Sequence, residues 1–227
     1  MPRIIYSDEE IVVVSKPAGM CVHPSPGHEK GALSDFLVRR FPEMASVGSP
    51  ERPGVVHRLD AETSGVMVFA RTRRAYAALR RAFESHRDVK KIYLAVLHGT
   101  PKPREGVLET TIGRKPWDPR RFAVNVPGGK FARTRWRVLA KKGALALVEF
   151  EIDTGRTHQI RLHAAHLGCP VVGDALYGRG DRDRSLAVPP SHHLLHAVSL
   201  AFPHPASRQT VAFSAPPPPE LVFATTR

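Results

Sequence analysis

Between two apolar stretches of this chain, residues 55–56 and 66–70, lies the segment His57-Arg58-Leu59-Asp60-Ala61-Glu62-Thr63-Ser64-Gly65. It gathers ionisable and hydroxyl side chains at one end of a strand pair, anchored on both sides. Rigid strands that present a short polar loop are a common way to hold reactive groups. Asp60 has the chemistry of a nucleophile or general base, and Arg58 is close enough in sequence to act on its charge. The same residues also suit an Asx-type turn in which Asp60 only bonds backbone amides. A second segment, Asp153-Thr154-Gly155-Arg156-Thr157-His158-Gln159-Ile160-Arg161, joins a tight turn to a helix start and carries two arginines five residues apart. Helix N-termini and arginine forks both favour anions. Arg161 suits a carboxylate from another strand and Arg156 a phosphate. A solvated basic helix start fits the same pattern.

Other chemistries find less support. His158, His163, His166, His192, His193 and His196 invite a metal reading, but only His192 and His196 have the i, i+4 spacing of a helical ligand pair. No Cys-x-x-Cys pair accompanies them, so no metal is expected. Cys21 and Cys169 read as small core or loop residues. Neither standard glycine-rich phosphate loop is present. Ser64 sits in Thr-Ser-Gly, not in a Gly-x-Ser-x-Gly elbow.

These segments need elements to position them. Ile4-Ile5-Tyr6, a polar turn and Ile11-Val12-Val13-Val14 predict a β-hairpin, ended by Lys16-Pro17-Ala18-Gly19. Residues 23–31 and 45–54 read as loops. Leu33, Phe36, Leu37 and Phe41 share the face of a helix that Pro42 stops. Val55-Val56 predicts a short strand running into Asp60, and Val66–Ala70 an interior strand. Thr72 is placed to cap a helix over about 73–86, with Ala75, Leu79, Ala82 and Phe83 inward and Arg73, Arg74, Arg80, Arg81 and Arg87 outward. Lys91–Leu97 predicts a strand with Tyr93, Ala95 and Leu97 on one face. Residues 107–152 read as β-rich, interrupted at 113–130 by a basic loop containing Lys115, Trp117, Arg120, Arg121 and Lys130. A helix over about 157–167 ends at Gly168, residues 178–192 read as loop, and a last strand covers about 194–201. One α+β domain over 1–203 is the expected architecture, followed by a proline-rich tail over 204–227, where Pro216–Pro219 cannot enter a sheet interior.

Composition narrows the partner. The 227 residues carry 34 Lys+Arg against 21 Asp+Glu, a net charge of +13, and 42% are hydrophobic. That is a globular composition, and the excess charge favours a polyanion, most often nucleic acid. No window approaches the roughly 18 apolar residues of a membrane span. The start lacks the apolar run of a secretory signal. Two cysteines make no disulfide framework, which points to a reducing cytoplasm.

Four ordered segments resemble the RluA-type pseudouridine synthases. His57-Arg58-Leu59-Asp60 with Thr63-Ser64-Gly65 is similar to the family signature, and Lys16-Pro17-Ala18-Gly19 to its N-terminal Lys-Pro-x-Gly element. Lys91-Ile92-Tyr93-Leu94-Ala95 is similar to its Lys-x-Tyr-x-Ala strand. Gly155–Arg161, followed by Gly173-Asp174 and Tyr177-Gly178, is similar to its last motif. Together they span about residues 4 to 202. The resemblance implies the pseudouridine synthase fold, a mixed and mostly antiparallel central sheet with flanking helices and a catalytic cleft. It implies that Asp60 is the nucleophilic carboxylate, that Tyr93 lies against the target uracil and that Arg161 pairs with Asp60. Arg58 would hold the target nucleotide out of the RNA stack, with His57, Arg156, His158 and Gln159 as further substrate-binding residues. The family uses no cofactor or metal, and its substrates are structured ribosomal or transfer RNAs. Many relatives carry an extra N-terminal RNA-binding domain. Here the resemblance starts within a few residues of Met1, so target choice is expected to rest on the catalytic domain, acting as a monomer. The RNA contacts expected are Arg73, Arg74, Lys115, Trp117, Arg120 and Arg121. A non-catalytic RNA-binding protein of the same fold is the alternative, and a metal-dependent hydrolase built on the histidines a third.

Overall fold

Ile11, Val12, Val13 and Val14 carry stiff β-branched side chains that suit a pleated, covered strand, and all four are fully buried. They belong to the second strand of a computed structural model that describes residues 1–24, 30–85, 88–115, 118–186 and 188–222. In chain order the elements are β1 (Arg3–Ser7), β2 (Ile11–Lys16), α1 (Leu33–Arg40), β3 (Gly48–Ser49), β4 (Arg52–Pro53), β5 (Ser64–Ala70), α2 (Arg73–Ser85), β6 (Lys90–His98), β7 (Glu105–Lys115), β8 (Asp118–Val124), β9 (Lys130–Lys142), β10 (Leu145–Ile152), α3 (Gln159–His166), α4 (Gly180–Arg184), β11 (Leu195–Pro203), β12 (Thr210–Ser214) and α5 (Pro219–Val222). This is the expected α+β class. The chain divides into two compact units, Met1–Lys90 with Ala197–Pro216, and Lys91–His196 with Pro217–Arg227.

In the first unit the strand order is β1-β2-β5-β11, and β12 pairs with β11. The β1/β2 hairpin forms as its sequence predicts, with Arg3 opposite Ser15 and an irregularity between Ile4 and Tyr6. β5 pairs antiparallel with β2, Ser15 opposite Val66. It is buried from Gly65 to Ala70, which explains its uninterrupted apolar run. Helix α2 starts where Thr72 Oγ1 accepts the Ala75 N–H at 3.0 Å. It buries Ala75, Leu79 and Phe83 at helical spacing. Val55-Val56 does not form the predicted strand. Both are buried, but only Val55 bridges, to Phe69, because Gly54 turns the chain with φ +68° directly before them. The segment after Pro203 is also more than a tail, since β12 lies antiparallel to β11 with Ala201 opposite Ala212.

In the second unit the order is β6-β10-β9-β7-β8, and each of these pairings is antiparallel. One core cluster joins Val96, Leu145, Leu147, Val172, Leu194 and Leu221. A second joins Ile112, Ala132 and Leu162, with Phe122, Val124 and Tyr177 against it. Each fully buried valine, leucine or isoleucine among them contributes about 1.5–3 kcal/mol on burial. The predicted loop over 113–130 is largely strand. β7 runs to Lys115, and β8 returns along it with Gly113 opposite Ala123. Backbone pairing and the burial of one face outweigh the polar composition that read as loop. The Pro127-Gly128-Gly129 turn then leads into β9. Residues 178–192 likewise contain a short helix, α4, pinned where Asp183 Oδ1 meets His98 Nε2 at 2.7 Å and accepts the Gly173 N–H at 2.9 Å.

Candidate active site

In the first unit, Asp60 lies on the turn that leads into β5. The Thr63 N–H donates to the Asp60 carbonyl at 3.1 Å and closes that turn. The carboxyl-bearing residue is half-buried, Arg58 beside it is exposed, and Thr63 is buried. Gly65 is required where the turn enters the strand. Its φ is +126°, and a Cβ there would stand 2.3 Å from the Ala197 carbonyl oxygen. His57 holds the other side of the turn. Its Nε2 accepts the Val68 N–H at 3.1 Å, and its ring stacks on Phe83 with centroids 4.5 Å apart.

Beneath this turn lies a residue that the reading of side-chain types passed over. Lys16 is 1% exposed. Its ammonium donates to the carbonyls of Ala61 (2.7 Å), Met20 (2.8 Å) and Pro17 (3.0 Å), which employs its three protons. Burial pulls it down to about 8, opposed by the charges of Cys21 and Asp60. Lys16 therefore ties the Pro17–Met20 turn to the peptide directly after Asp60. The signal in the sequence was its place in Lys-Pro-Ala-Gly, since the type alone predicts an exposed residue.

In the second unit, Tyr93 lies on β6 opposite Phe150 and is 8% exposed. The last motif folds around the start of α3. Gln159, the first helical residue, is buried and spends both ends of its amide inside the protein. Its Oε1 accepts from Thr154 Oγ1 (2.8 Å) and the Arg156 N–H (3.0 Å). Its Nε2 donates to the Arg133 carbonyl (3.0 Å) and Thr134 Oγ1 (2.9 Å). One turn later His163, fully buried, sits between Thr134 Oγ1 at 2.8 Å and Thr110 Oγ1 at 2.9 Å. Burial pulls His163 down to about 4, with the His166 charge adding to the effect. Two residues at i, i+4 thus pin one face of α3 to β9 and β7.

Arg161 projects from that pinned helix and is 5% exposed. Its Nε and Nη2 donate to the two carboxylate oxygens of Asp174 at 2.7 and 2.8 Å, the bidentate geometry that a guanidinium favours. Burial pushes the Asp174 carboxyl up. The Arg161 bonds and charge, with the Tyr177 and Leu176 N–H groups, outweigh this and hold it below the usual carboxylate range. Asp174 is the second residue that side-chain chemistry alone did not single out. Gly173 before it has φ +76°, and a Cβ there would stand 2.2 Å from the His192 carbonyl oxygen. His158 holds a left-handed backbone (φ 56°) just before the helix. Its Nδ1 is 2.8 Å from the Tyr177 hydroxyl. Half-buried Arg156 donates from Nε to the Phe131 carbonyl at 2.8 Å. Lys91 is buried as well, and burial pulls it down to about 8. The Asp153 charge opposes that shift and the Arg156 charge adds to it.

The basic residues divide into two groups. On β9, Arg133, Arg135 and Arg137 form a ladder with acidic neighbours. Arg133 meets Glu109 and Asp153 at 2.8 Å, Arg135 meets Asp153 at 2.7 Å and Glu151 at 3.2 Å, and Arg137 meets Glu149 at 3.0 Å. On α2, Arg74 is paired with Glu10 and Arg80 with Glu84, while Arg73 donates to the Ser46 carbonyl at 3.2 Å. The β7/β8 ribbon is different. Arg114 and Arg121 are exposed there, and so are Lys130 and Phe131 at the start of β9, which pairs with β7. Arg121 makes a 3.6 Å contact with Asp118, and Lys115 is half-buried at the end of β7. Trp117 and the Arg120 side chain lie outside the described residues. Among the described residues no group of three or more His, Cys, Asp or Glu is placed to hold a metal ion. No helix among them is long and apolar enough to cross a membrane.

Comparison with known proteins agrees with these motifs. Residues 10–166 match the family model described as RNA pseudouridylate synthase. The chain is 38% identical over 218 residues to an RNA pseudouridine synthase of Synechocystis sp., covering 95% of this chain and 65% of that protein. It is 41% identical over 224 residues to the ribosomal large subunit pseudouridine synthase D of Neisseria meningitidis serogroup A, covering 96% of this chain and 59% of that one. The chain thus spans less than two thirds of the length of these relatives. Among solved structures, human RNA pseudouridylate synthase domain containing 1 superposes with a TM-score of 0.77 at 30% identity, covering 97% of this chain and 86% of that one. With a family match over most of its length and a likeness to a solved member of the same fold, this chain belongs to the RNA pseudouridylate synthase family.

Proposed function

We propose that the protein isomerises uridine to pseudouridine in structured RNA, with Asp60 as the essential carboxylate. One observation carries the reading. In a chain of this family, a half-buried aspartate sits at the motif position, on a turn closed by Thr63 and bolted down by the buried Lys16 ammonium.

The reaction breaks the N1–C1′ bond, turns the base and joins C5 to C1′. The hydrogen on C5 leaves to solvent, and N1 gains a proton. Nothing is oxidised and no water is consumed, so the chemistry asks for one aligned, ionised carboxylate and the exclusion of water. Asp60 adds to the base or the sugar, or takes the C2′ proton. A nearby cation favours its charged form, the role that the family resemblance gives to Arg161. Tyr93 supports the detached uracil by stacking. Arg58 holds the nucleotide outside its stack, which costs a few kcal/mol of unstacking. Arg156 and His158 serve the bound RNA, whereas His57 and Gln159 act through position, given their bonds inside the fold. No cofactor or metal takes part in this scheme, and the enzyme acts as a monomer in the cytoplasm.

The exposed cations of the β7/β8 ribbon, with Phe131, suit phosphate contacts and stacking. Among structured RNAs we favour ribosomal RNA, because the Neisseria relative is named for the large ribosomal subunit. The test is tritium release from unmodified ribosomal and transfer RNA carrying C5-tritiated uridine. Wild type should release tritium and Asp60→Ala should not. No release by wild type from either RNA pool overturns the enzyme reading. Equal release by the variant overturns the role of Asp60. Release from transfer RNA alone overturns the preferred substrate.

A further inference from the structure

Tyr177 joins two parts of the second unit that are far apart in sequence. Its N–H donates to Asp174 Oδ1 at 3.0 Å, and its ring lies 5.2 Å from the Arg161 guanidinium carbon, so one side belongs to the arginine. Its hydroxyl accepts the Phe122 N–H of β8 at 3.3 Å and is 2.8 Å from His158 Nδ1. A phenol has two acceptor sites and one donor, so it can serve both partners at once with either histidine tautomer.

Three aromatic rings reinforce this junction. His158 meets Tyr177 edge-on with centroids 5.5 Å apart and Phe122 at 5.8 Å. On the ribbon, the Arg114 guanidinium lies 5.2 Å from the Phe122 ring centroid. Phe122 and Tyr177 both pack on the Ile112, Ala132 and Leu162 cluster, which places Leu162 of α3 beneath the contact. Among the described residues His158 is also one of three non-glycine residues with positive φ. Such a conformation persists where surrounding contacts hold it, and the Tyr177 hydroxyl and the two rings supply them.

We propose that Tyr177 is a positioning residue that docks the basic β7/β8 ribbon onto the element carrying Arg161, so that RNA phosphates held by Arg114, Arg121 and Lys130 stand in a set register with that arginine. The RNA half of this inference rests on the function proposed above; the docking half does not. Tyr177→Phe removes only the hydroxyl and keeps the ring beside Arg161, which isolates the junction from the packing.

Two measurements test it. The first is amide hydrogen exchange in the free protein. The Phe122 amide should exchange at least about tenfold faster in Tyr177→Phe, because it loses its acceptor, while the β9 and β10 amides stay as in wild type. The second is tritium release against RNA concentration, where KM should rise about tenfold with a smaller change in kcat. Unchanged Phe122 exchange overturns the docking role. Faster exchange with KM unmoved and kcat collapsed also overturns the proposal, because the hydroxyl would then serve the chemistry. Failure of wild type to release tritium would instead count against the proposed function and leave the exchange result as the test of docking.

Discussion

The neutral imidazole of His163 ties acid stability to the helix that carries Arg161. The ring is fully buried between the hydroxyls of Thr110 and Thr134, and burial pulls it from an ordinary 6.5 to about 4. The sign follows directly. Between those values the unfolded chain binds a proton at this residue and the folded chain does not, so stability falls as pH drops from about 6.5 toward 4 and is unaffected above. At 1.36 kcal/mol per pH unit the full loss is about 3 kcal/mol, a large share of the 5–15 kcal/mol typical of a folded domain. About two fifths should be gone by pH 5.5 and about three quarters by pH 4.5. Carboxylates titrate over part of the same range, so the difference between wild type and His163→Gln isolates the histidine. Glutamine keeps a donor and an acceptor but has no proton to bind. Urea unfolding at about pH 7.5, 6.5, 5.5 and 4.5 should show the variant weaker at the highest pH, by about 1–2 kcal/mol for an imperfect hydrogen bond. That gap should close, then reverse, as the pH falls. Parallel curves for the two proteins would overturn this, because they would mean that His163 takes up its proton equally in both states.

Two further outcomes follow from the charges. Lys16→Met should leave the buried carbonyls of Pro17, Met20 and Ala61 without their donor, at a cost of about 1–3 kcal/mol in urea unfolding, and should lower tritium release by freeing the Asp60 turn; wild-type values for both would show that the ammonium does not hold the turn. Arg121→Ala with Lys130→Ala should weaken RNA binding and flatten its salt dependence by about one to two counterions, whereas Arg135→Ala with Arg137→Ala should leave the slope as it is, because those arginines are already paired with Glu151, Asp153 and Glu149. Equal slopes for the two double variants, measured by filter binding over a salt series, would contradict this division of the positive charge.

Much of the framework was legible along the chain because it is local. The valine run of β2, the apolar run of β5 and the spacing of Ala75, Leu79 and Phe83 on α2 each announce one buried face, and the structure buries them. The motifs that place Asp60, Tyr93 and Arg161 were readable for the same reason, as they are contiguous strings. Reading failed where a distant partner decides. Val55-Val56 has strand composition but one bridging partner, and residues 118–124 have loop composition but pair antiparallel with β7. Gln159, expected at the substrate, turns inward because Thr134 and the Arg133 carbonyl lie under it.

The class of fold, the order of the motifs and the side chains capable of reactive chemistry can be read from local sequence, since side-chain type and periodicity are properties of neighbours in the chain. What holds those side chains comes from folding. The Lys16 ammonium meets the Ala61 carbonyl 45 residues away, Arg161 meets Asp174 across a turn, and His163 meets hydroxyls from two strands. A buried polar group must find a partner or lose its hydration uncompensated, and folding brings that partner from wherever in the sequence it lies.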